Sequence, residues 1–558
     1  MSDSFETHEV FNQSPPFVDV NLYADDAPLR LAVQREGGDG AAANLDRFGA
    51  LLGSAAAIED GQTANVRTPV LHAFDARGFR LDTVEFHPAY HACMRRGTAQ
   101  GLHCSTWEYL LSGGAPRRGR HVERLAGIYM TSQVETGHLC PIVMTHACVA
   151  PLLRERSLTE ASVWLPKILV RGYDPAFRPM AEKQAVTIGM GMTEKQGGSD
   201  VRANTTKAEP LGGDDGEYRL TGHKWFLSAP MCDAFLMLAQ APGGLSCFFV
   251  PRFLPDGSVN ALHLQRLKDK LGDRSNASSE VELAGAHGWL VGDEGRGVPT
   301  IIEMVTLTRL DCVASSAGLM RWGLANAVHH ARHRSAFQKR LIDHALMASV
   351  LADMALTVEA AVALALRLGR AFDRAHEDGG EAAYARFMTP VIKYWCCKLV
   401  PQLAYEAMES MGGNGYVEEG TIARLYRQAP LNAIWEGPGN VMCLDMLRAM
   451  DKDRAAADSV LQQLSGAAGA GGPIADALAG AAAILADPAR AEGEARFAVE
   501  QIALAAAAVA LRDSAPEPVA DAFIAARLTG RHSGTYGTFG GQARGVDARA
   551  ILERALPG

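Results

Sequence analysis

The spacing of apolar residues changes twice along this chain of 558 residues, and that double change restricts the possible folds more than any single motif. From residues 45 to 183 apolar side chains recur every three or four positions, as helices require. From 184 to 296 short runs alternate with a period of two between turn residues, which is typical of strands. Helical spacing then returns over 297 to 454. The sequence therefore predicts an α+β fold, with a middle β domain between an N-terminal helical domain and a C-terminal helical bundle.

Five runs carry the strand signal in the middle segment, and Gly, Asp and Pro turns separate them. The runs are Ala185-Val-Thr-Ile-Gly, Glu217-Tyr-Arg-Leu-Thr-Gly, Ala234-Phe-Leu-Met-Leu-Ala, Leu245-Ser-Cys-Phe-Phe-Val and Ser279-Glu-Val-Glu-Leu. They predict a small antiparallel β domain.

The two ends of the chain differ from the three segments between them. Residues 1 to 44 are rich in Pro, Asp and Asn and have few periodic apolar positions, so we expect an arm that wraps over another surface. Residues 455 to 558 begin with a Gly- and Ala-rich stretch and continue in alanine-rich runs. These runs predict helices in a C-terminal extension that is linked flexibly to the rest.

Composition excludes several classes of protein. With 48% apolar and 21% charged residues the chain is an ordinary globular protein, and at this length several domains are expected. Its net charge of -9 gives no general electrostatic case for nucleic acid or an anionic membrane. Ten cysteines occur without a C-x-x-C pair, which argues against zinc and against a disulfide framework, and we predict no metal site. We expect a cytoplasmic protein, because no export signal and no membrane-spanning run of about 20 apolar residues is present.

One stretch, residues 432 to 440, has the composition of a catalytic loop. It places the carboxylate of Glu436 between the indole of Trp435 and the chain-turning residues that follow. An indole excludes water, and desolvation raises the pKa of a carboxyl group, which makes it a better proton acceptor. The alternative is an ordinary loop ahead of a helix that starts near Val441.

Two further motifs lie in the β domain. Residues 190 to 200 combine a strand end with a threonine hydroxyl, two glycines and a serine, and the exposed backbone N–H groups of such a turn can bind an anion or the polar edge of a flavin. Trp225 and Ser228 offer an indole and a hydroxyl on a second strand, a pair that can pack on a flat heteroaromatic ring. A hairpin turn and a core tryptophan are the structural alternatives.

The helical bundle carries two more motifs. Arg334 follows a long apolar helical face and is able to fork onto a pyrophosphate, although a solvated charged face is the alternative. Gly412 and Gly413 end the preceding helix, as a glycine cap requires.

Taken in order, these segments resemble the acyl-CoA dehydrogenase family of flavoproteins from about residue 45 to 450. Thr193-Glu-Lys-Gln-Gly-Gly-Ser-Asp is similar to the flavin-binding strand of the family, and Trp225 to its tryptophan beside the isoalloxazine. Arg334-Ser-Ala-Phe337 resembles the Arg-x-x-Phe that meets the FAD pyrophosphate of a neighbouring subunit. Gly412-Gly-Asn-Gly is similar to the glycine turn of the adenosine half, and Glu436-Gly to the general base. The resemblance thus implies FAD as cofactor and a homotetramer.

The resemblance also assigns a role to individual residues. Glu436 is the catalytic base. The cofactor-binding residues are Met190, Met192, Thr193, Gly198, Ser199, Lys224, Trp225, Phe226, Ser228, Arg334, Phe337, Gly412, Gly413, Ile434, Trp435, Gly437 and Asn440. The substrate-binding residues are Thr193, Ser199 and Arg309, the last lying near the acyl-CoA thioester in the family.

Within the family the chain is most similar to the AidB branch, flavoproteins linked to the bacterial response to DNA alkylation. That similarity extends over nearly the whole chain and includes Thr7-His-Glu-Val-Phe-Asn-Gln, Gly244-Leu-Ser-Cys-Phe-Phe-Val-Pro-Arg, Arg266-Leu-Lys-Asp-Lys-Leu-Gly and the extension after residue 450.

The reaction implied is α,β-dehydrogenation of a short or branched acyl-CoA, with electron-transfer flavoprotein as an electron acceptor. In the family the base removes the α proton, the β hydrogen leaves as hydride to flavin N5, and the base's own N–H with a ribityl hydroxyl stabilises the enolate-like oxygen. Three residues depart from the common pattern: Lys195 replaces a proline and places a cation near the pocket mouth, and Pro438 and Asn440 replace a hydroxyl and a glutamine. Dehydrogenation that is slow or vestigial is the corresponding expectation.

The alternative function is that of a double-stranded-DNA-binding flavoprotein that protects DNA from alkylation. Residues 455 to 558 contain eleven acidic residues, eight arginines and no lysine, so DNA binding requires the arginines to cluster in space. The candidates are Arg527, Arg531, Arg544, Arg549 and Arg554. A third interpretation makes the extension a helical cap or an oligomer interface.

Overall fold

The computed structural model describes residues 7–154, 159–212, 216–469, 471–529, 534–538 and 547–557, and the N-terminal part of these is mainly helical. Its helices are α1 Ala27–Glu36, α2 Ala42–Leu52, α3 Ala55–Val66, α4 Pro88–Gln100, α5 Tyr109–Ser112, α6 Arg120–Val134, α7 Leu139–Ala147, α8 Val149–Arg154 and α9 Thr159–Ile168.

Two elements in this part differ from the sequence prediction. Helix α1 lies inside the expected arm, because Asp26 caps it by accepting a hydrogen bond from the Leu29 N–H and Pro28 occupies its first turn. A hairpin of β1 Val70–Phe74 and β2 Arg80–Glu85 interrupts the expected helical domain. Its turn contains Gly78 at a φ of 87°, a left-handed conformation that suits glycine.

The middle domain is a small β barrel. Its strands are β3 Ile188–Gly191, β4 Lys207–Pro210, β5 Glu217–Ser228, β6 Ala234–Ala241, β7 Gly244–Pro251, β8 Leu262–Leu267 and β9 Ser278–Val291. Strands β4, β5, β9, β7 and β6 pair in that order and β6 returns to β4, which closes the ring. Four of the five predicted runs lie within strands, and of the run from Ala185 to Gly189 only Ile188 and Gly189 do, because β3 begins at Ile188. Most strand pairings are antiparallel, as predicted, and the exception is β6, which runs parallel to both β3 and β4.

The helical bundle follows directly. Its elements are α10 Gly297–His333, β10 Ser335–Ala336, β11 Lys339–Arg340, α11 Ala345–Arg374, α12 Gly379–Ser410, α13 Gly413–Tyr416, α14 Ile422–Gln428 and α15 Gly439–Lys452. Helix α10 packs against α6, α11 and α12. A buried ion pair joins Arg124 of α6 to Asp311 of α10, with one nitrogen-to-oxygen distance of 2.9 Å.

The C-terminal extension forms a helical layer against this bundle. Its helices are α16 Arg454–Ala468, α17 Pro473–Leu485, α18 Pro488–Ala491, α19 Ala495–Ser514, α20 Glu517–Leu528 and α21 Ala548–Ala555. Helix α19 packs on α11, α12 and α15, and α21 packs on α11. The expected helices are present, whereas the expectation of a flexible link is wrong, because apolar side chains of the extension belong to the same core as the bundle.

Two arginines of the extension hold it to α11. Arg527 donates to the carboxylate of Asp353 at 2.5 Å, and Arg554 donates through its Nε to Glu359 at 3.0 Å. Both acids are buried, so these arginines point inward and are not available to DNA phosphates. Arg549 is exposed, and Arg531 and Arg544 lie outside the described residues. The inward direction of Arg527 and Arg554 contradicts the proposed cluster of five arginines and favours the helical-cap interpretation.

The N-terminal arm covers the C-terminal end of α10. The ring of Phe17 lies 5.5 Å from that of Trp322, and the amide of Asn12 donates to the Ser335 carbonyl oxygen at 2.9 Å. Asp26 pairs with Arg321 at 3.1 Å and accepts from the Tyr129 hydroxyl at 2.7 Å. The arm is therefore fixed to the bundle by buried polar contacts as well as by packing.

Helix α11 is long and apolar enough to cross a membrane when it is judged by length and composition alone. In this structure it lies inside the bundle, where most of it is buried. All ten cysteines of the chain are buried free thiols.

Candidate active site

The loop of residues 432–440 connects the end of α14 to α15 and is shaped by two consecutive left-handed residues. Glu436 has a φ of 56° and Gly437 a φ of 103°. Glycine suits the left-handed backbone at 437, and a Cβ there would also meet the terminal methyl of Met442 at 2.4 Å, which a flexible side chain can relieve by moving. Glutamate gains nothing from a left-handed backbone, which makes its presence at 436 a sign that the side chain is needed.

The carboxylate of Glu436 meets a hydroxyl from the first half of α10. Thr308 Oγ1 donates to Glu436 Oε2 at 2.8 Å. Burial raises the pKa of Glu436, while the Thr308 hydrogen bond and the charges of Arg309 and Lys393 act in the opposite direction. The net result is a carboxylate that is a stronger proton acceptor than an exposed glutamate.

Lys393 of α12 is hydrogen-bonded to the backbone of this loop. Its side chain is 1% exposed, and its ammonium donates to the carbonyl oxygens of Asn432 at 2.9 Å, Trp435 at 2.7 Å and Gly437 at 2.8 Å. Three N–H donors meet three acceptors, so the buried charge is fully bonded. The sequence analysis did not identify Lys393. The one sequence feature that points to a special role for Lys393 is that it is the single charged residue in the apolar run from Pro390 to Cys397.

Arg309 supports the same loop. Its Nε donates to the carbonyl oxygen of Glu436 at 2.8 Å, and its Nη1 donates to Asp445 at 2.9 Å. Arg386 also pairs with Asp445, at 2.9 Å. Because the Arg309 side chain is almost fully buried in these contacts, what the structure places here is a support for the base loop. Its assignment to the substrate stays a prediction.

The indole of Trp435 is oriented by its own loop. Its Nε1 donates to the side-chain oxygen of Asn432 at 2.8 Å, and the Asn432 amide in turn donates to Ser316 of α10 at 3.1 Å. The ring is partly buried against an apolar cluster to which the β domain, α7, α8 and the first part of α10 contribute. Ile434, the preceding residue, is 62% exposed.

The structure brings three of the predicted residues of the β domain together. The backbone N–H of Trp225 donates to the Thr193 carbonyl oxygen at 2.8 Å. A Cβ on Gly198 would lie 2.5 Å from Thr193 Oγ1. Ser228 approaches the Ser278 hydroxyl at 3.2 Å. Three more predicted residues flank this group: Met190 and Met192 are half-buried and Ser199 is exposed.

The prediction that Lys224 binds the cofactor is not supported for its side chain. Lys224 Nζ is buried and donates to Glu194 Oε1 and to the Leu238 carbonyl oxygen, both at 2.7 Å. Burial alone would raise the pKa of Glu194, but the Lys224 ammonium and neighbouring hydrogen bonds hold it at about 2. The physical reason is strand alternation, since Lys224 and Trp225 are adjacent on β5 and face opposite sides.

Three cations surround the indole of Trp225. Lys268 Nζ lies 3.2 Å from its ring centroid, Lys195 Nζ 5.7 Å away and the Arg266 guanidinium carbon 5.8 Å away. Glu280 pairs with both Lys268 and Arg266, which leaves the group with an excess of positive charge. The cation expected at Lys195 is thus joined by two that the sequence analysis missed. The neighbouring ring of Phe226 is 47% exposed and lies 4.7 Å from Lys268 Nζ.

Four predicted residues lie at the opposite end of the bundle from Glu436. Arg334 follows the end of α10, 25 helical residues beyond Thr308, which is a distance of roughly 38 Å along the axis. Phe337 forms the tip of the β10–β11 hairpin, with a φ of 50° and 91% of its surface exposed. Gly412, at a φ of 60°, and Gly413 leave open space beside the backbone. Within one chain these residues do not share a site with the base.

Arg334 is also in contact with the N-terminal arm, since its Nη1 donates to the Gln13 side-chain oxygen at 3.1 Å. A cavity of about 830 Å³ lies near it, among the arm, the end of α10 and α21. Glu436 does not line this cavity, so the assignment of the base rests on its hydrogen bonds and not on cavity size.

Asn440 is engaged by the C-terminal extension. Arg496 of α19 donates through its Nε to Asn440 Oδ1 at 2.7 Å. The preceding Pro438 is the N-cap of α15 and offers no side-chain hydrogen bond to the helix. Two of the three departures noted in the sequence, Pro438 and Asn440, therefore lie together at the start of α15, and Asn440 is hydrogen-bonded to the extension.

Models of three protein domains match the chain in sequence order. The N-terminal domain of adaptive response protein AidB matches residues 12–175, the middle domain of acyl-CoA dehydrogenase matches residues 189–286, and its C-terminal domain matches residues 295–450.

Among characterised sequences, the chain is 49% identical over 448 residues to the putative acyl-CoA dehydrogenase AidB of Escherichia coli (strain K12), covering 80% of this chain and 81% of that protein. Among solved structures, Caenorhabditis elegans ACDH-11 in complex with C11-CoA superimposes with a TM-score of 0.85 at 26% identity, covering 93% of each chain. A Bacillus anthracis acyl-CoA dehydrogenase complexed with FAD has a TM-score of 0.65, covers 79% of this chain and 81% of its own, and at 16% identity shows the fold alone.

Proposed function

The chain belongs to the acyl-CoA dehydrogenase family and carries the N-terminal domain of its AidB branch, and on this premise we propose that it catalyses α,β-dehydrogenation of an acyl-CoA thioester with FAD as cofactor. The single observation that carries the proposal is the geometry of Glu436. Its carboxylate is desolvated, bonded to Thr308, and carried by a loop that Lys393 and Arg309 fix from two helices.

Glu436 acts on the α carbon. The Cα–H bond breaks, the proton passes to a Glu436 carboxylate oxygen, and the electron pair becomes the second bond of the Cα=Cβ double bond as the β hydrogen leaves with its own pair. When bound, FAD supplies the two-electron acceptor for that hydride. The raised pKa of Glu436 favours the transfer, because the difference in acidity between a thioester α carbon and a carboxyl group is large.

The thioester oxygen gains negative charge as the α proton leaves, and a backbone donor beside Glu436 is available to it. Within the part of the chain that the structure describes, the Glu436 N–H donates to no acceptor. Its loop is fixed, so the N–H keeps a constant direction and needs no reorganisation during reaction. Trp435, held by Asn432, excludes water from the same side.

Residues of the chain fit a flavin dinucleotide in three places. Thr193 and Trp225 bring polar backbone groups and an indole together on the barrel, and the cations around Trp225 suit an anionic ligand. Gly412 and Gly413 leave room for close approach to the backbone. The hairpin of Phe337 projects away from its own chain, which is why we propose that it completes the cofactor site of a second copy in a homotetramer.

The substrate and the electron acceptor are further parts of the proposal. A solved relative binds C11-CoA, so the substrate range to test runs from short and branched acyl groups to a straight chain of that length. We propose an electron-transfer flavoprotein as the acceptor of electrons from the reduced cofactor. The ten free thiols suit a reducing compartment, and we propose the cytoplasm.

Anaerobic mixing of the FAD-loaded protein with a panel of acyl-CoAs tests the function. The expected result is bleaching of the oxidised flavin absorbance by at least one member of the panel. Glu436→Gln is expected to retain FAD and to slow bleaching on the order of a thousandfold. Bleaching of the variant at the native rate would remove Glu436 from the role of base.

Duplex DNA as a ligand is the alternative function, and the extension supplies little for it. Arg527 and Arg554 are bonded to buried acids, and Arg512 donates to the Ala468 carbonyl oxygen within the extension. A titration of binding to random-sequence duplex against salt concentration tests this alternative. A steep fall in affinity with salt would support phosphate contacts, and no binding at low salt would exclude them.

A further inference from the structure

The outer edge of the β10–β11 hairpin is bonded to one side chain of the N-terminal arm. The amide nitrogen of Asn12 donates to the Ser335 carbonyl oxygen at 2.9 Å, and the Ser335 N–H donates to Asn12 Oδ1 at 2.7 Å. This is the two-bond exchange that a residue of a neighbouring strand would make. Asn12 itself has a φ of 55°, a left-handed conformation that asparagine adopts more readily than most residues. The arm therefore supplies a substitute for a third strand.

The hairpin needs such support, because its own sequence does not favour it. Each strand has two residues, and an isolated two-stranded hairpin is marginally stable at best. The tip residues Phe337 and Gln338 both have left-handed backbones, with φ values of 50° and 66°. Tips of that kind favour Asn and Gly, because larger side chains crowd a left-handed backbone. Asn12 supports one edge, and His344 Nε2 lies 3.0 Å from the Ala336 carbonyl oxygen.

The next residue of the arm contacts Arg334, which directly precedes the hairpin. Arg334 Nη1 donates to Gln13 Oε1 at 3.1 Å, and among the described residues this is the one hydrogen bond of the guanidinium group. A guanidinium group has five N–H donors, so four remain available to a ligand. The partner is a neutral amide, which orients the guanidinium group without compensating its positive charge. An acidic side chain at position 13 would neutralise that charge.

Other contacts hold the arm on α10 independently of these two amides. His329 Nε2 lies 2.9 Å from the Pro15 carbonyl oxygen. The ring of Phe17 lies 5.5 Å from that of Trp322 and 5.0 Å from that of His329. All these contacts are on α10, before the hairpin begins. Loss of either amide should therefore release the hairpin without detaching the arm.

We infer that Asn12 and Gln13 are positioning residues, through which the N-terminal arm holds Arg334 and the β10–β11 hairpin in place for an anionic group on a second copy of the chain. The inference rests on the proposed function, which makes that group the pyrophosphate of FAD. The hairpin projects from its own chain at Phe337, so its direction depends on the support at its base. The arm thereby takes a part in cofactor binding that its cover over α10 does not require.

Gln13→Glu separates a positioning role from a structural one. It keeps the acceptor for Arg334 and adds an ion pair, so a structural role predicts equal or greater thermal stability and unchanged cofactor binding. A positioning role predicts weaker binding, because a neutralised guanidinium group attracts a pyrophosphate less. Asn12→Gly removes both bonds to Ser335 but keeps the left-handed backbone free of strain. Gln462→Glu is the matched control, since it makes the same replacement at an exposed position of α16.

The experiment is a fluorescence titration of each full-length apoprotein with FAD, accompanied by light scattering and thermal unfolding of the same samples. We expect Gln13→Glu to raise the Kd for FAD about tenfold and Asn12→Gly about fivefold, while Gln462→Glu stays within about twofold of the native value. Gln13→Glu should keep the native assembly and thermal stability. Added to Arg334→Met, it should have little further effect on the Kd, because Gln13 acts through Arg334.

The outcomes separate this inference from the function on which it rests. If the native protein binds no FAD, the proposed function fails and the inference fails with it. If the native protein binds FAD and either Gln13→Glu or Asn12→Gly keeps the native Kd, the inference alone is wrong. A full effect of Gln13→Glu in the Arg334→Met background would also overturn it, because Gln13 would then act by another route. An equal loss of affinity in Gln462→Glu would do the same, because added charge alone would explain the result.

Discussion

The hydroxyl of Thr308 lies 2.8 Å from a carboxylate oxygen of Glu436, across 128 residues of sequence. This contact ties the base to α10, the longest helix described, while Lys393 ties the backbone of the same loop to α12. Helix α10 thus holds the Glu436 side chain through Thr308 and its carbonyl oxygen through Arg309, while α12 holds the neighbouring loop carbonyls through Lys393. That arrangement allows the two kinds of support to be tested independently.

Replacing Thr308 with Val should move the acidic limb of the pH–rate profile to higher pH. The Thr308 hydroxyl stabilises the ionised carboxylate and so lowers a pKa that burial has raised. Without that hydrogen bond the pKa rises further, and the base becomes active only at a higher pH. The measurement is the rate of flavin reduction against pH. Thr306→Val is the matched control, since its hydroxyl bonds within the helix to the Ile302 carbonyl oxygen, and its profile should not move.

Glu436→Gln should make the protein more stable at neutral and alkaline pH. The pKa of Glu436 is raised in the folded state, so its contribution to stability is fully present below the unfolded-state value of about 4.3 and is lost as pH rises through the folded value. Glutamine carries no charge and escapes that loss. Thermal unfolding from pH 5 to pH 8 is expected to show a gain for the variant that grows with pH. A gain of equal size at every pH would contradict the raised pKa.

Lys393→Met should destabilise the fold by about 3 kcal/mol, because three buried carbonyl oxygens lose their donor. The loop that carries Glu436 would also lose its fixed shape, so flavin reduction should slow along with the loss of stability. Denaturant unfolding gives the first quantity and stopped-flow absorbance the second. Lys398→Met, on the exposed face of the same helix, is expected to cost less than about 1 kcal/mol. Similar losses in both variants would show that Lys393 has no special role.

Arg527→Met should cost about 3 kcal/mol of stability, since it leaves the carboxylate of Asp353 buried without its partner. Arg549→Met removes an exposed arginine of the same extension and should change stability by no more than about 0.5 kcal/mol. Differential scanning calorimetry compares the two. If the protein binds duplex DNA, Arg549→Met should weaken that binding more than Arg527→Met does. A larger effect of Arg527→Met would mean that the extension moves when DNA binds.

Phe337→Asp should weaken both assembly and retention of FAD. The ring projects from a hairpin tip with 91% of its surface exposed, so it is free to contact a second copy of the chain. Light scattering coupled to size-exclusion chromatography measures the assembly, and flavin absorbance per chain measures the cofactor. Phe79→Asp, at an exposed position in the β1–β2 hairpin, is the control for adding a charge to an exposed aromatic position. Equal effects of the two substitutions would argue against a specific role for the β10–β11 hairpin.

The burial of Glu436 and the chain turn after it were predictable because the signal for both is local. Trp435, Glu436 and Gly437 determine burial, charge and chain direction within three residues, and the five strand runs show their alternation within six residues each. The supports of the loop were not predictable in the same way. Thr308 lies 128 residues before Glu436, and Lys393 about 40 residues before the loop. No sequence periodicity relates either residue to the loop.

Lys224 shows a different limit. Neighbouring residues on a strand face opposite sides of the sheet. If Trp225 packs beside the flavin ring, the Lys224 side chain must therefore point away from that ring. The assignment of Lys224 to the cofactor rested on the family resemblance and did not take strand alternation into account. Helix α1 was not predicted, although its Asp-Ala-Pro start is a recognisable helix N-terminus. Its apolar face is too short to show a clear helical periodicity in the sequence.

Helix α11 has a consequence for how the chain is made. It is apolar enough to resemble a membrane span, and part of its cover comes from α19 and α21, which are translated last. At about 5 to 20 residues per second, the stretch between the end of α11 and α21 takes roughly 10 to 35 s to synthesise. During that interval the side of α11 that α19 and α21 later cover has no partner, although α6, α10 and α12 can already pack on its other sides. A chain that terminates near residue 450 would keep this apolar surface exposed and would be prone to aggregation.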